Sequence, residues 1–440
     1  MRRTKIVATL GPASRAPGVV RALLEAGADV VRLNSAHGSP EAHRQAARTA
    51  RARADELGRP VGVLMDLPGP KMRTGPVVGD EVELVPGQRF TLAGAPVDGD
   101  EHGVTTTVAG LAGMVHPGDE VFLADGQIVL SVEAVDGDDV RTEVVRGGAL
   151  RSRKGLSLPR SEHLLDTFTT ADEAALALAL DLRVDFVGVS FVRVPSDVVR
   201  VRSLLPKRRP RPRVVAKIET RVALEHLDGI IEAADAVMVA RGDLGIQVDV
   251  SMVPLLQKEI IAAGNAAGRP VITATQMLGS MTRSPLPTRA EAADVANAVI
   301  DGSDALMLSE ETAVGGFPVE AVATMARIAR GAESWPRDRH PPSDAAFRED
   351  PVSWAVAHAA VEAAEDLGVA AILCPTRSGA TARRVAAFRP GVPVAGLSTR
   401  PDVLGGLTLT WGCSPSRPGS PRTRSGRPMP RSRPPGAPGS

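Results

Sequence analysis

Two short apolar runs that end in polar residues decide the fold. They read Val-Val-Ala-Lys-Ile-Glu at 214–219 and Ala-Val-Met-Val-Ala-Arg-Gly-Asp at 236–243. Similar β-branched runs alternate with Ala-, Leu- and Arg-rich helical stretches along most of the chain, which is typical of βα units around a parallel sheet. Strands are predicted at 5–8, 29–33, 61–65, 185–189, 214–218, 236–239, 271–273 and 305–308. These eight strands predict an α/β fold, a (β/α)8 TIM barrel.

One long interruption divides the predicted barrel. Between the third and fourth strands the chain is rich in Gly-Asp turns and alternating valines, which predicts an inserted β-barrel lid domain. A Pro-rich linker at 336–342 precedes a further βα pattern. The predicted domains are the barrel (1–73 and 159–335), the lid (74–158), a truncated C-terminal α/β domain (345–412) and a tail (413–440).

The tail has a composition that cannot bury a core. Its last 27 residues, 414–440, include eight Pro, six Arg, six Ser and four Gly, with no acidic residue. We expect this segment to be disordered. A basic arm that binds nucleic acid would be an alternative, but no aromatic residues interleave with the arginines, so no nucleic-acid partner is expected. A frameshifted reading of a GC-rich gene would also explain such a composition.

Composition favours a soluble protein. Hydrophobic residues make up 43% and charged residues 23% of the chain, and no apolar run reaches the roughly 18 residues needed to cross a bilayer. The first ten residues lack the apolar segment of a signal peptide. Cys374 and Cys413 lack the partners for a zinc site or a disulfide framework. We expect a cytoplasmic protein with no membrane partner.

Lysine is rare in this chain. Of 52 basic residues only six are Lys, at positions 5, 71, 154, 207, 217 and 258. A compact ammonium cannot be replaced by a planar guanidinium where a point charge is required. The lysines that fall in the motifs below are therefore candidates for a chemical role.

The carboxyl ends of barrel strands carry the active site in this fold, so the polar residues there are informative. Lys217 and Glu219 are two residues apart on one strand and share a face, which points into the barrel mouth. Asp243 follows the next strand. Two carboxylates with room for water and substrate oxygens suit Mg²⁺ or Mn²⁺. Two alternatives remain for Lys217, a buried salt bridge to Glu219 and a Schiff-base lysine.

Arginines and glycines at the same rim suggest an anionic substrate. Arg32 and Arg73 supply fork-shaped donors for phosphate oxygens, and the glycines at 242 and 245 let backbone amides approach an anion closely. Each arginine alone is weak support, because an arginine at a strand end is more often part of a surface ion pair. Their convergence on one rim indicates a phosphate site.

Several longer motifs resemble signatures of the pyruvate kinase family. The resemblance spans about residues 4–412 and implies a barrel domain, a β lid and a C-terminal effector domain. The motifs are Thr4-Lys5-Ile6-Val7-Ala8-Thr9-Leu10-Gly11-Pro12-Ala13-Ser14, Arg32-Leu33-Asn34, Met238-Val239-Ala240-Arg241-Gly242-Asp243-Leu244-Gly245, Ala274-Thr275-Gln276-Met277 and Pro287-Thr288-Arg289-Ala290-Glu291.

The resemblance implies a role for each matching residue. It places the catalytic metal on Glu219 and Asp243, phosphoryl-group neutralisation on Lys217, and phosphoenolpyruvate binding on Arg32, Gly242, Asp243 and Thr275. Thr275 with water would also protonate the enolate. The nucleotide phosphates would contact Asn34, His37, Arg73 and Lys154, with Asp125 as a weaker lid candidate for a second metal.

Departures from the family pattern concern the monovalent cation and the nucleotide. The family commonly has a hydroxyl where this chain has Ala36, an aromatic residue where it has Ala42, and an acid where it has Lys71. Asn34 and Asp66 remain from the monovalent-cation site. We expect Lys71 to act as an internal cation, so that K⁺ is not required, and nucleotide preference stays open.

The C-terminal domain also departs from the family pattern. Thr376, Ser378, Gly379 and Thr381 lie in a strand-to-helix turn that resembles part of an effector phosphate loop. The family's domain continues for roughly another 60 residues of βα structure, but here the resemblance is expected to end at Gly412. Weak or absent activation by sugar phosphates follows from this expectation.

The resemblance implies a metal-dependent kinase that converts phosphoenolpyruvate and ADP to pyruvate and ATP in glycolysis. Its cofactor would be Mg²⁺ or Mn²⁺, and the enzyme would form a homo-oligomer, a dimer through the barrel domain. The alternatives are a catalytically impaired remnant that still binds phosphoenolpyruvate, and a barrel lyase acting on phosphoenolpyruvate or pyruvate.

Overall fold

The computed structural model describes residues 2–124, 126–158, 166–208, 210–335, 342 and 350–419. The strands, numbered in chain order, are β1 (Lys5–Thr9), β2 (Val30–Asn34), β3 (Gly62–Asp66), β4 (Glu81–Leu84), β5 (Arg89–Ala93), β6 (Gly103–Thr105), β7 (Glu120–Leu123), β8 (Ile128–Asp136), β9 (Asp139–Arg146), β10 (Gly148–Arg151), β11 (Leu156–Ser157), β12 (Phe186–Val189), β13 (Arg213–Ile218), β14 (Ala236–Ala240), β15 (Val271–Ala274), β16 (Ala305–Leu308), β17 (Ile372–Pro375), β18 (Val394–Leu397) and β19 (Cys413–Ser416).

Helices lie between most of the barrel strands, and the last three helices belong to the C-terminal domain. They are α1 (Pro17–Ala26), α2 (Pro40–Glu56), α3 (Thr170–Asp181), α4 (Pro195–Leu204), α5 (Arg221–Glu225), α6 (Leu227–Ala233), α7 (Arg241–Gln247), α8 (Val253–Ala266), α9 (Arg289–Ile300), α10 (Glu310–Ala313), α11 (Pro318–Ala332), α12 (Pro351–Asp366), α13 (Ala380–Ala387) and α14 (Pro401–Gly406). No described helix combines the length and the apolar character that crossing a bilayer requires.

The predicted barrel is confirmed. Eight parallel strands close in the order β1-β16-β15-β14-β13-β12-β3-β2. Each predicted strand lies within one residue of an observed one at both ends. The strands could be located well because a barrel strand is buried on both faces and therefore stands out as a short apolar run.

Side-chain alternation along β13 places the functional residues. Val215 packs inside the barrel, whereas Ala216 and Ile218 pack outward against the helices. With a period of two, Lys217 and Glu219 continue the inward face to the carboxyl end of the strand. Lys217 and Glu219 therefore share the inward face, as their spacing in the sequence predicts.

The inserted lid has a core of its own. Its strands form a six-stranded mixed half-barrel in the order β11-β7-β8-β9-β5-β6, with β10 and β4 paired beside it. Apolar residues from Met72 to Leu158 make up this core. Lys154 and Gly155 of the lid line one cavity together with Arg32 and Thr275 of the barrel, so the lid lies over the barrel mouth.

The C-terminal domain extends beyond its predicted limit. Its parallel sheet has the order β17-β18-β19, and β19 comprises Cys413–Ser416, which the sequence assigned to a disordered tail. That assignment is wrong for these four residues. Their backbone groups pair with β18, and Lys5 Nζ donates a hydrogen bond of 2.6 Å to the Cys413 carbonyl. Residues 420–440 of the tail, and all but residue 342 of the predicted linker, lie outside the described residues.

The segment between α14 and β19 closes the amino-terminal end of the barrel. Leu409 is 1% exposed and belongs to the cluster inside the barrel, with Val7 and Phe186. Gly62, at the start of β3, has no room for a side chain, because a Cβ there would lie 2.2 Å from Thr408 Oγ1. The C-terminal domain and the barrel therefore share part of one core.

A buried carboxyl lies at the same junction. Asp185 Oδ2 accepts a hydrogen bond of 2.8 Å from Val63 N, and a Cβ on Gly405 would lie 1.9 Å from Asp185 Oδ1. Burial raises the pKa of Asp185 to about 7, an effect that nearby Asp402 adds to and that Arg51 and Arg213 oppose. This carboxyl is therefore protonated in the folded chain below neutral pH.

We predict that Leu409→Ala lowers the free energy of unfolding by about 2–5 kcal/mol, because it opens a cavity inside the barrel. Urea unfolding followed by circular dichroism measures this change. The matched control is Leu373→Ala in the same domain, where the side chain is 63% exposed. Equal losses in the two variants would show that Leu409 does not close the barrel.

We also predict a pH-dependent effect of Asp185→Asn. Because folding raises the pKa of Asp185 from 3.8 to about 7, the folded chain holds a proton that the unfolded chain has lost. The contribution of Asp185 to the free energy of unfolding therefore falls as the pH rises between these values. The urea midpoint of the variant, relative to wild type, should be higher at about pH 8 than at about pH 5. Asp55→Asn, at an exposed aspartate of α2, should show no such trend.

Candidate active site

Two connected cavities lie at the barrel mouth. The larger, of about 910 Å³, lies between the barrel and the lid, and a smaller one of about 60 Å³ lies beneath it. The predicted residues that line the larger cavity are Arg32, Asn34, His37, Arg73, Lys154, Gly242, Asp243 and Thr275. Lys217, Glu219 and Asp66 line the smaller one, together with Lys71, which lines both. Every barrel residue predicted from strand ends therefore faces one site.

Lys217 lies at the base of this site and is 8% exposed. Its ammonium lies 2.7 Å from Glu219 Oε1 and 3.7 Å from Asp66 Oδ2, and it donates a hydrogen bond of 2.9 Å to Ser190 Oγ. Burial opposes the charge, but the two carboxylates outweigh burial and hold the pKa of Lys217 above its ordinary value. The salt bridge considered from the sequence is present, and it keeps the lysine cationic.

Glu219 and Asp243 fit a divalent cation that prefers oxygen ligands. Glu219 Oε2 accepts a hydrogen bond of 2.7 Å from Phe191 N, and the buried Oε1 has the Lys217 ammonium, 2.7 Å away, as its one partner among the described residues. Asp243 is in the first turn of α7 and faces the same small cavity. Among the described residues no group of three or more His, Cys, Asp or Glu could hold a metal. A cation here would take its other ligands from substrate and water.

Arg32 is held by a buried ion pair. Its Nε and Nη2 each lie 2.8 Å from Asp66 Oδ2, and its Nη1 donates to Thr9 Oγ1 at 3.2 Å. Burial opposes the charge on Asp66, but Arg32 and Lys217 keep the pKa of this carboxyl below its usual value. The guanidinium is thus fixed in orientation at the edge of the larger cavity.

The loop after β15 has an unusual backbone. Thr275 and Gln276 have φ of +69° and +53°, which is rare for a β-branched residue such as threonine. Thr275 Oγ1 donates to the Ala274 carbonyl at 2.6 Å and accepts from Gly242 N at 2.8 Å. The Gly242 amide was expected to face an anion. In this structure it is engaged by Thr275, because the left-handed turn brings the hydroxyl over the end of β14.

The residues proposed for the nucleotide lie at the lid side of the cavity. Arg73 Nη1 donates to the Arg153 carbonyl at 3.0 Å, and Lys154 is exposed beside it. Burial, then the charges of Lys71, Arg73 and Arg32, lower the pKa of His37, so that its imidazole is neutral near physiological pH. Asp125 lies outside the described residues.

The remaining monovalent-site residues are partly engaged. Asn34 Oδ1 accepts a hydrogen bond from Ala36 N at 3.3 Å, and Asp66 Oδ2 pairs with Arg32 as described, whereas the buried Asp66 Oδ1 has no hydrogen-bond partner among the described residues. The Leu67 carbonyl accepts a hydrogen bond of 2.7 Å from Ser190 Oγ. Lys71 makes no ion pair within 4.0 Å among the described residues, and its exposed side chain lines both cavities.

The predicted effector loop lies between β17 and α13. Thr376 Oγ1 accepts a hydrogen bond of 2.9 Å from Gly379 N, and Ser378 Oγ accepts one of 3.3 Å from Ala380 N. Gly379, with φ of +81°, precedes the first residue of α13, and Thr381 lies in the first turn of this helix. A role in binding an effector phosphate stays a prediction.

Two sets of site residues were missed from the sequence. Ser190 and Phe191 follow β12, and they were overlooked although a polar residue at the carboxyl end of a predicted barrel strand was the signal used elsewhere. Arg241 was quoted in a motif without a role. Its guanidinium donates to the Thr275 carbonyl at 2.7 Å and to Asp294 Oδ1 at 2.8 Å, so it fixes the left-handed loop. No local sequence signal shows that contact.

Comparison with known proteins agrees with the geometry. The family model described as "Pyruvate kinase, barrel domain" matches residues 1–322, and "Pyruvate kinase, alpha/beta domain" matches residues 354–425. The second match continues past Gly412, so the expectation that the resemblance ends there is wrong. β19 matches the family although it lacks the apolar run that is typical of a buried strand.

Curated relatives match over nearly the whole chain. "Pyruvate kinase 2" of Synechocystis sp. is 44% identical over 94% of this chain and 70% of its own length. The pyruvate kinase of Thermococcus litoralis is 39% identical, covering 94% of this chain and 88% of its own. That of Mycobacterium tuberculosis is 42% identical, covering 93% and 86%. From the closed barrel, the cluster of charges at its mouth and these matches, we conclude that this chain belongs to the pyruvate kinase family.

Proposed function

We propose that this chain transfers the phosphoryl group of phosphoenolpyruvate to a nucleoside diphosphate, with Mg²⁺ or Mn²⁺ held by Glu219 and Asp243. The observation that carries this proposal is the buried Lys217 ammonium, 2.7 Å from Glu219 and open to the cavity beneath the lid. The larger cavity, of about 910 Å³, has room for a nucleotide beside the substrate. The comparisons give no support to an impaired remnant.

Lys217 and Arg32 would act electrostatically. In phosphoryl transfer, negative charge spreads over the oxygens of the transferred group, and fixed cations stabilise that charge without reorganising. Both side chains are held by carboxylates, Arg32 by Asp66 and Lys217 by Glu219, so their positions are set before substrate binds. A bound divalent cation would add positive charge on the substrate oxygens.

Thr275 is the candidate for handling the enolate proton. Its hydroxyl hydrogen is directed at the Ala274 carbonyl, and its oxygen accepts from Gly242 N. To act with water on the enolate, the hydroxyl must rotate away from Ala274, and this would also free the Gly242 amide for substrate. Binding and proton handling would then be linked through one side chain.

The nucleotide phosphates would lie between Arg73, Lys154 and His37. Two cations on this side attract a polyphosphate, and a neutral imidazole can accept or donate a hydrogen bond without competing with them. We expect a cytoplasmic homodimer formed through the barrel domain. A coupled assay in which pyruvate appears only with both ADP and Mg²⁺ tests the proposed activity.

We predict that Lys217→Met lowers kcat by several orders of magnitude and leaves phosphoenolpyruvate affinity within about tenfold, because it removes a contact that strengthens in the transition state. Steady-state kinetics and substrate titration by intrinsic fluorescence measure the two effects. Lys258→Met, at an exposed lysine paired with Asp301 on the barrel surface, is the matched control and should behave as wild type. Equal losses of affinity and kcat at Lys217 would contradict the role.

We further propose that the enzyme does not need K⁺. The site lacks a hydroxyl at Ala36, and Asn34 Oδ1 and the Leu67 carbonyl accept hydrogen bonds from protein groups, which leaves Asp66 Oδ1 as its unpartnered oxygen in the described part of the chain. A K⁺ ion about 4 Å from the Lys71 ammonium would be repelled by about 4 kcal/mol at an effective dielectric near 20. Lys71 thus supplies the positive charge that the ion would otherwise bring.

Activity should therefore be nearly equal in Na⁺, K⁺ and tetramethylammonium salts at matched ionic strength. Lys71→Glu should lower activity in all three, with only partial rescue by K⁺, because Ala36 cannot complete the ion's shell. Lys207→Glu, a lysine remote from the cavities, is the control for the charge change. A wild-type enzyme stimulated more than about tenfold by K⁺ over tetramethylammonium would contradict this proposal. Such a stimulation corresponds to more than about 1.4 kcal/mol of stabilisation by K⁺.

A further inference from the structure

The corner after β12 touches both charged residues of β13. Ser190 Oγ lies 2.9 Å from Lys217 Nζ, and Phe191 N lies 2.7 Å from Glu219 Oε2. Ser190 is 4% exposed. These two consecutive residues therefore hold the candidate phosphoryl-neutralising lysine and the candidate metal ligand at fixed points beside each other.

The direction of each hydrogen bond at Ser190 is dictated by chemistry. The Leu67 carbonyl, 2.7 Å from Ser190 Oγ, can only accept, so the single hydroxyl hydrogen goes there. The Lys217 ammonium can only donate, so it must donate to the oxygen of Ser190. Ser190 thus presents a lone pair to Lys217 and cannot reverse its role.

Without Ser190, Lys217 would have only carboxylates as near partners. Glu219 Oε1 is 2.7 Å away and Asp66 Oδ2 is 3.7 Å away. The ammonium, which already contacts Glu219 Oε1, would then lose the acceptor on its third side and could shift between the two carboxylates. The Ser190 oxygen is a neutral acceptor on a third side of the ammonium. It directs one N–H of Lys217 away from the carboxylates and holds Nζ between β12 and β13.

The corner is rigid enough for this task. Phe191 has φ of +53°, and its amide is used by Glu219. Gly69 packs so closely that a Cβ there would lie 2.7 Å from Phe191 Cδ2 and 3.1 Å from Ser190 Cβ. The close approach of Gly69 and the hydrogen bond to the Leu67 carbonyl therefore hold Ser190 in place.

We propose that Ser190 is a positioning residue for the reaction: its hydroxyl oxygen holds the Lys217 ammonium where the transferred phosphoryl group will be. The inference rests on the role proposed for Lys217. It predicts that loss of the hydroxyl reduces kcat and leaves substrate and metal binding nearly intact.

The test compares Ser190→Ala and Ser190→Cys with Ser303→Ala in the full chain. Ser303 is fully buried, and its hydroxyl also makes a hydrogen bond, of 2.7 Å to Thr273 Oγ1, but it contacts neither Lys217 nor Glu219. A hydrogen bond to a charged group is worth enough to predict a fall in kcat of about 10- to 100-fold for Ser190→Ala. The KM for phosphoenolpyruvate and the Mn²⁺ affinity, measured by electron paramagnetic resonance, should each stay within about threefold. Ser190→Cys fills the space but accepts hydrogen bonds weakly, so its kcat should fall similarly.

A double-mutant cycle separates positioning from general damage. In a Lys217→Met background, Ser190→Ala should cause no further loss of kcat, because the group that it positions is gone. The inference is overturned if the losses add, if Ser190→Cys retains wild-type kcat, if Mn²⁺ binding is lost, or if Ser303→Ala shows the same fall in kcat. If Lys217→Met itself is fully active, the proposed role of Lys217 fails first.

Discussion

The site depends on four charged side chains buried together at the barrel mouth. Arg32 and Lys217 pair with Asp66 and Glu219, so two cations face two anions within hydrogen-bonding range. A single buried charge among these would be costly, whereas the set is compensated and each member fixes its neighbours. Removing one partner leaves the others unpaired, which is why the geometry of the whole mouth follows from this cluster.

The barrel backbone lies so close to this cluster that one position tolerates only glycine. Gly188 on β12 has no space for a Cβ, which would lie 2.3 Å from Asp66 Oδ1. Beside it, Phe191 and Thr275 hold left-handed backbone conformations that cost energy. These two residues follow the carboxyl ends of β12 and β15, whereas Leu409 packs inside the opposite end of the barrel.

The two ends of the barrel thus differ in structure and in role. The mouth carries charges, left-handed turns and cavities, whereas the other end is closed by the C-terminal segment, with Asp185 buried at the junction. Leu409 belongs to the same cluster as Val7 and Phe186, so the C-terminal segment packs against β1 and β12, two strands whose carboxyl ends lie at the mouth.

The sequence by itself determined the eight strands, the inserted lid, the inward face of Lys217 and Glu219, and the convergence of polar residues on one rim. These depend on local periodicity and on a rule about strand ends, both of which can be read along the chain. Only the tertiary structure decided which partners those residues have. Ser190 and Arg241 act through contacts across 27 and 34 residues, to Lys217 and Thr275, and β19 forms by backbone pairing that needs no apolar pattern. Directed hydrogen bonds between distant segments depend on how the strands close around the barrel, and no local pattern encodes that closure.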